Sequence, residues 1–416
     1  MKYSPLKQTE RIQVIDVLRG FALFGILMVN MLYMYEPMTT MMLGAKQDAS
    51  IGHIIAESFI KFFFEGKFYV IFSMLFGFGF YIFLNKSKEN GSSTLPVFKR
   101  RLFFLLLFAL AHISLLWAGD VLLYYALFGF LLILFRKASD KKIMRWAVVL
   151  AFLPTILNSL MVIAVTLFSQ IPEAKSEIET QMQASAVVLN ELVERASLIY
   201  SMGSFKEIVS VRIEEYFTLF GGSLFFFCPV ILSMFLVGFL LARKGIIANY
   251  KENLPLFRKV FWWGLSVGVI TNTLYAISFR YSVMNVPNGW SLLATSMHIF
   301  GGISLGLGYI SAIIILFSRG KAGLLTKYLA PVGRMALTNY FLQSITTAIL
   351  FHSYGFGFFG KVEVWQGIVL TLIIFTLQVF FSRWWLNQYQ FGPFEWLWRS
   401  LTYFRFQPMK KVGVNS

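Results

Sequence analysis

The chain has four histidines, and one of them occupies an unusual place. His112 lies in the stretch KRRLFFLLLFALAHISLLWAGD (99–120), which opens with three cations, closes with an acid and is apolar between them. An imidazole can take up and return a proton near neutral pH, so it can act as a general base. Arg101 precedes His112 by eleven residues, and eleven steps of about 100° return to nearly the same helix face, about 16 Å along the axis. The spacing predicts one helix face with a cation at one end and an imidazole beyond its middle.

Other polar side chains fall inside or beside apolar runs, where burial in lipid is costly and a functional role is the first hypothesis. One set is expected at the same depth as His112, with Asp120 orienting its ring: His112, Asp120, His298 and His352, together with Asn30. The other set is expected at the opposite ends of the helices: Asp16, Arg19, Arg101, Arg334, Glu395 and Arg399. The alternative for a histidine in this setting is a hydrogen bond that ties two helices together.

The second set contains two pairs at helical spacing. Asp16 and Arg19 are three residues apart, and Glu395 and Arg399 are four apart, so each pair shares a helix face and can form an ion pair. Asp16, Arg19 and Glu395 are interpreted as structural groups that shape the mouth of a site. Arg101, Arg334 and Arg399 are interpreted as phosphate-binding groups, since an arginine near a helix start suits an anionic phosphate. A lipid headgroup would suit them equally.

The composition predicts the elements that must position these groups. Hydrophobic residues make up 57% of the 416 residues and charged residues only 14%, against about 25% in soluble chains. Continuous apolar runs of about 20 residues predict membrane-spanning helices. We therefore expect an all-α helix bundle that forms a single integral membrane domain over 1–416. Ten spans are predicted, near 17–35, 66–84, 102–118, 121–135, 146–169, 216–242, 260–279, 291–317, 335–352 and 364–385.

The net charge of +17 is explained by where the cations lie. Alternate connections hold 27 of the 37 Lys and Arg residues, whereas the connections between them hold 7. Cation-rich connections stay in the cytoplasm, so a multi-pass protein of the cell membrane with both termini cytoplasmic is predicted. Anionic membrane lipids are the expected partners of these charges, and no nucleic acid is needed to explain them. The single Cys228 and the spacing of the other ligands predict no metal site.

Two segments lie outside the predicted spans. The first is an extracytoplasmic loop over 170–215, where a predicted amphipathic helix would either cap a cavity or serve as a solvated spacer. The second is a cytoplasmic tail over 386–416 with a short interfacial helix, for which Pro393 is a suitable first residue. The apolar positions at helical spacing in the loop are Val188, Leu192, Ala196 and Ile199.

The chain resembles the YeiB-like family of bacterial membrane proteins, which carry a domain of unknown function. The resemblance rests on IDVLRG (15–20), KFYVIFSMLFGFG (67–79), AHISLLWAGDVLLYYALFG (111–129), VGRMALTNYFLQS (332–344) and GPFEWLWRSLTY (392–403). The D-x-x-R-G opening is similar, more distantly, to membrane acyltransferases of the heparan glucosaminide acetyltransferase type. Bacterial members that acylate surface sugars carry an Arg or Lys, ten residues and then a His, a pattern that Arg101 and His112 match.

This resemblance implies an O- or N-acyltransferase that moves an acyl group from cytoplasmic acyl-CoA to an acceptor at the outer side. His112 would be the catalytic base and Asp120 its partner, while the arginines would bind the donor phosphates. The alternatives are a transporter or flippase of a small amphiphilic substrate, in which intramembrane charges form a proton relay, and a non-catalytic lipid-binding scaffold. The sequence indicates no particular oligomeric state.

Overall fold

The computed structural model describes residues 12–89, 94–282 and 287–411. Lys2, Lys7 and Arg11 of the N-terminal segment and residues 412–416 of the predicted 386–416 tail lie outside these ranges. Within them the secondary structure is helical, and the isolated bridge between Tyr389 and Lys410 is its one β-type pairing. The expected all-α bundle is therefore observed in the described part of the chain.

The α-helices follow the apolar runs, and several additional helices occupy segments that were predicted as connections. In chain order they are α1 Gln13–Met31, α2 Ile51–Phe63, α3 Lys67–Glu89, α4 Leu95–Leu115, α5 Leu122–Leu132, α6 Asp140–Phe168, α7 Pro172–Met202, α8 Phe205–Phe226, α9 Cys228–Arg243, α10 Leu254–Tyr281, α11 Gly289–Ser318, α12 Gly323–Arg334, α13 Ala336–Phe351, α14 Val364–Gln388 and α15 Pro393–Tyr403. Short 3-10 helices cover Met38–Met42 and Ile133–Phe135.

Six helical segments in the described residues are long and apolar enough to cross a membrane, and a seventh results if α8 and α9, bent by 54°, form one broken span. α14 shows the expected lipid-facing surface, because Trp365, Ile373, Leu377, Phe380 and Trp384 are each more than half exposed. A water-facing helix would not carry such a continuous apolar stripe. The chain is therefore a multi-pass membrane protein.

Three of the ten predicted spans are helices that fall below this threshold. α4 carries three consecutive cations at 99–101, in its second turn, and the apolar helix Leu122–Phe135 is short. α13 has 16 residues, which gives a length of about 24 Å, less than the roughly 30 Å of a hydrocarbon core.

α1 lies at the centre of the bundle and packs against α3, α12, α13 and α14. Its contact with α12 requires glycine, because a Cβ at Gly333 would overlap the backbone carbonyl of Asp16, and one at Gly20 would overlap that of Leu329. This close approach sets the end of α12, where Arg334 lies, beside the Asp16–Arg19 turn.

α7 and α8 pack over the end of the bundle to which His112 belongs. Arg212, fully buried on α8, donates from Nη1 to the Ser114 carbonyl at 2.9 Å, and Tyr200 on α7 donates to Glu215 Oε2 at 2.6 Å. The helix over this loop is longer than expected and its buried face is shifted, since Val188 is 65% exposed. The buried positions of α7 are Leu189, Leu192, Ala196 and Tyr200.

Candidate functional site

His112 is fully buried near the end of α4, and both of its ring nitrogens have polar neighbours. Nδ1 lies 2.9 Å from Asp120 Oδ2, at ion-pair distance. Nε2 lies 2.8 Å from Ser344 Oγ on α13. The ring also stacks on Tyr340 with centroids 4.9 Å apart, so its orientation is fixed from several sides. We call Asp120, His112 and Ser344 the triad.

Asp120 reaches His112 because the chain turns back directly after α4. The break between α4 and α5 returns the carboxylate to the ring, although eight residues separate the two positions. Its other oxygen, Oδ1, accepts a hydrogen bond from the Leu123 backbone at 2.8 Å and so caps the start of α5. One carboxylate therefore anchors a helix N-terminus and contacts the imidazole, an arrangement that fits the orienting role expected for it.

Sequence reasoning missed Ser344 and Tyr340 as site residues. Both stand in VGRMALTNYFLQS, which was used only for the family resemblance. A signal was present, because Tyr340 and Ser344 are four residues apart and share one face of α13. That helix also buries Asn339, Gln343 and Thr347, an unusual density of polar groups for an apolar segment.

A cavity of about 400 Å³ runs through the bundle toward this cluster. Its lining reaches Val121, Tyr125 and Tyr340, whereas His112 and Ser344 are not among its lining residues. The Tyr340 ring therefore stands between the cavity and the triad. Ionisable side chains line the opposite end of the cavity: Asp16, Arg19, Arg101, Arg334, Glu395 and Arg399. The structure thus gathers the whole predicted second set at one mouth.

Arg101 is held at this mouth by the short helix α15. The Trp398 indole donates to the Arg101 carbonyl at 2.9 Å, and the guanidinium lies 3.9 Å from the centroid of the same indole ring. Arg19 Nη1 lies 3.3 Å from Asp16 Oδ1 on the first turn of α1. Stacking on an aromatic face leaves the planar guanidinium able to bind a phosphate edge-on.

Glu395 corrects one part of the phosphate-site prediction. Oε1 accepts hydrogen bonds from the Leu337 and Thr338 backbone amides at 2.6 and 3.1 Å, and Oε2 accepts one from the Thr338 hydroxyl at 2.5 Å. A helix does begin near Arg334, because α12 ends at Arg334 and α13 begins at Ala336, but the start of α13 is occupied by this carboxylate. Burial raises the pKa of Glu395, and the hydrogen bonds from Thr338 and Leu337 oppose that shift.

A cationic groove of about 560 Å³ adjoins the mouth. Lys327, Arg383 and Lys411 line it together with Arg334, which also borders the cavity, and Trp384 forms part of its wall. Cations beside an exposed tryptophan are typical of the membrane interface, where anionic headgroups bind.

His298 belongs to a different cluster. It packs edge-on to Tyr275, with ring centroids 5.0 Å apart, near the start of α3. There Lys61 Nζ lies 3.0 Å from Glu65 Oε2, and Lys67 Nζ donates to the Lys61 and Glu65 carbonyls at 2.7 and 2.6 Å. We call Lys61, Glu65, Lys67 and His298 the lysine cluster, and none of its members lines the cavity.

The remaining candidates lie apart from the triad. His352 follows α13, where its Nδ1 lies 2.9 Å from the Tyr354 hydroxyl and its ring stacks on Tyr200 of α7. Asn30 is partly buried near the end of α1 and does not line the cavity. Across the described ranges, no three His, Cys, Asp or Glu side chains are grouped so that they could hold a metal ion.

Comparison with known proteins gives the family. The model described as "Protein of unknown function (DUF418)" matches residues 241–405. The uncharacterized protein YxaH of Bacillus subtilis (strain 168) is 33% identical over 422 residues, with 98% of each chain covered. The uncharacterized protein YeiB of Escherichia coli (strain K12) is 26% identical, with 94% of this chain and 96% of the relative covered. No solved structure matches the chain. The chain therefore belongs to the YeiB-like family of membrane proteins that carry the DUF418 domain.

Proposed function

We propose that the protein is a membrane acyltransferase that carries an acyl group from acyl-CoA to an acceptor at the opposite side of the bilayer. The observation that supports this most strongly is the cavity, because it joins an arginine-lined mouth to Tyr340, the neighbour of His112. Acyl transfer across a membrane needs a phosphate-binding entrance, an apolar passage and a base at the far end. The residues that line this cavity are of the types that the first two tasks require, and His112 lies behind Tyr340 at its far end.

The donor end uses the mouth arginines. Arg19, Arg101, Arg334 and Arg399 present guanidinium groups suited to the phosphates of coenzyme A. His112 lies about 16 Å from Arg101 along α4, a distance that an extended phosphopantetheine arm can bridge. The pantetheine arm would pass along the apolar middle of the cavity, where Leu23, Phe76 and Leu105 are found.

The acceptor end depends on His112. In the tautomer with its proton on Nδ1, which lies 2.9 Å from Asp120 Oδ2, Nε2 carries the lone pair and is the nitrogen that can accept a proton. Asp120 is a positioning residue in this scheme, because it acts on the reaction only through the imidazole. Asp120→Asn should lower the turnover rate with little change in KM for acyl-CoA, and Asp120→Glu should restore part of it.

Binding and cleavage of coenzyme A thioesters test the proposal. Purified protein in nanodiscs should show a raised unfolding temperature with CoA or acetyl-CoA, through mass action, and a smaller rise with pantetheine, which lacks the phosphates. It should also release free thiol slowly from acetyl-CoA, with water as the acceptor. If CoA, acetyl-CoA and palmitoyl-CoA all leave the unfolding temperature unchanged, the donor assignment is wrong.

The proposal includes a topology of ten crossings in the cell membrane, with both termini cytoplasmic. The distribution of cations supports it, and it places the mouth arginines in the cytoplasm and α7 outside. Single cysteines introduced into a Cys228→Ser protein at Lys411 and at Glu191 should react with an impermeant maleimide from opposite sides of intact cells. Labelling of both positions from one side would contradict this orientation.

A transporter of an amphiphile is the second candidate, and the lysine cluster favours it. Lys61 is 2% exposed and Lys67 is fully buried, and intramembrane charges of this kind often serve ion or proton pathways. Gradient-dependent accumulation of a substrate in proteoliposomes, without covalent change, would support this candidate. Thiol release from acetyl-CoA that requires His112 would support acyl transfer.

A further inference from the structure

Both nitrogens of His112 have a polar side chain within 3 Å, which limits what the ring can deprotonate. Nδ1 contacts Asp120 and Nε2 contacts Ser344 Oγ. An acceptor molecule could reach the lone pair on Nε2 only by displacing Ser344. In the tautomer with its proton on Nδ1, the Nε2 lone pair faces the Ser344 hydroxyl, 2.8 Å away.

Ser344 is also bonded differently from several other helical serines in the described part of the chain. A hydroxyl inside a helix usually donates to the carbonyl four residues earlier. Ser159, Ser223 and Ser304 follow this pattern, with distances of 2.8, 3.0 and 2.6 Å. Ser344 instead has its hydrogen bond to an imidazole that is backed by a carboxylate. All three side chains are buried, with residue exposures of 1% for Ser344, 0% for His112 and 4% for Asp120.

We propose that Ser344 is a nucleophile that carries the acyl group as a covalent ester between donor and acceptor. This inference deepens the proposed function and rests on it for the identity of the donor. A hydroxyl, a histidine bonded to it and a carboxylate on the far ring nitrogen form the general arrangement by which proteins activate serine. The acyltransferase would then work in two half-reactions instead of one direct transfer.

In the first half-reaction Ser344 Oγ attacks the thioester carbonyl carbon while its proton moves to His112 Nε2. The tetrahedral intermediate collapses, the carbon–sulfur bond breaks, and the leaving thiolate takes the proton from Nε2 as coenzyme A. In the second half-reaction an acceptor hydroxyl or amine attacks the serine ester and gives its proton to Nε2. The ester carbon–oxygen bond to Ser344 then breaks, and Oγ recovers that proton, so no oxidant or reductant is needed.

The thioester must pass Tyr340 to reach Ser344, because Tyr340 borders the cavity and Ser344 does not. The two residues are one helical turn apart on α13, so a rotation of the Tyr340 side chain would open the cavity toward the hydroxyl.

The first test traps the ester. Protein is incubated with radiolabelled acetyl-CoA, quenched in acid and digested, and the peptide that holds Ser344 is analysed by mass spectrometry. We expect an acetyl adduct on Ser344 that survives neutral hydroxylamine, as an oxygen ester does, whereas an acyl-imidazole on His112 would be cleaved. His112→Ala and Ser344→Ala should abolish the adduct and lower thiol release about 10²- to 10⁴-fold.

Ser382→Ala is the matched control, because Ser382 is a fully buried serine that accepts a hydrogen bond from Asn339 at 2.9 Å and has no contact with the triad in the described structure. The Ser382→Ala variant should still form the acetyl adduct on Ser344 and should release thiol at the wild-type rate. Wild-type thiol release by Ser344→Ala, without any adduct in the parent protein, would overturn the nucleophile while leaving the acyltransferase intact.

A fluorophosphonate probe separates failure of this inference from failure of the proposed function, since it reacts with activated serines and needs no coenzyme A. Labelling of Ser344 that is lost in His112→Ala supports an activated nucleophile even if no acyl-CoA binds. Absence of labelling, together with absence of an acetyl adduct, overturns the inference and leaves Ser344 as a hydrogen-bond partner that ties α13 to α4.

Discussion

The triad and the lysine cluster are both polar sites inside an apolar bundle, but their surroundings differ. In the lysine cluster Lys61 is neutralised by Glu65, and Lys67 donates to two backbone carbonyls, so the cations are held by permanent partners of the protein. In the triad a hydroxyl and an imidazole face each other beside a cavity that reaches an arginine-lined mouth. Burial of charge alone therefore does not identify a reactive site. A reactive site also needs a group that can exchange its proton and a cavity through which a substrate can approach.

The sharpest test of this comparison is a pair of histidine substitutions. His112→Ala should reduce thiol release from acetyl-CoA by about 10²- to 10⁴-fold, the range expected for loss of a general base. His298→Ala, the control in the lysine cluster, should keep the rate within a few fold, because His298 does not line the cavity. Equal losses in the two purified, folded variants would remove the distinction between the sites.

The next effect concerns stability and acts on the other cluster. Lys61→Met should lower the free energy of unfolding by about 3–5 kcal/mol, because Glu65 loses its nearest cation while remaining largely buried. The double variant Lys61→Met/Glu65→Gln should recover much of this loss, since neither charge is then left alone. The free energies of unfolding of the single and the double variant are measured in mixed micelles, with tryptophan fluorescence as the signal. A single variant as stable as the parent would show that the pair is solvated.

A smaller effect is expected at the mouth. Arg101→Ala should weaken CoA binding by roughly 10- to 150-fold, which corresponds to about 1.5–3 kcal/mol for hydrogen bonds to a charged group. Arg101→Lys should bind CoA with an affinity between those of the parent protein and Arg101→Ala, because it keeps the charge and loses the planar stack on Trp398. Isothermal titration in nanodiscs gives the affinities, and Arg145→Ala, an exposed cation on α6 that does not line the cavity, is the control. Unchanged affinity in Arg101→Ala would place the donor elsewhere.

The smallest effect is expected from the cap of α13. Glu395→Gln should lower the free energy of unfolding by about 1 kcal/mol, since an amide replaces the carboxylate that accepts bonds from Leu337 and Thr338. Glu191→Gln, on an exposed position of α7, should leave stability unchanged. A loss of several kcal/mol would instead mean that Glu395 organises the whole mouth.

The apolar runs and the placement of cations were enough to predict a helical membrane protein, and each of the ten predicted spans has a helix at its position. The helices within the predicted connections were harder to predict from the sequence. α2 and α12 were taken as parts of connections, because short helices of mixed polarity have no distinctive period against the surrounding charges. The buried face of α7 was misplaced by one residue at Val188 for a related reason, since only packing decides which of two adjacent stripes faces the bundle.

The sequence by itself determined that an ionisable ring is embedded in α4 with a cation on the same helix face, because helical periodicity fixes which side chains share a face. Tertiary structure alone decided which partners that ring meets. Ser344 lies 232 positions from His112, and the Glu395 carboxylate that occupies the start of α13 lies 57 positions from Thr338. Local periodicity carries no information about which helix packs against which, so these side-chain contacts follow only from how the helices pack around α1.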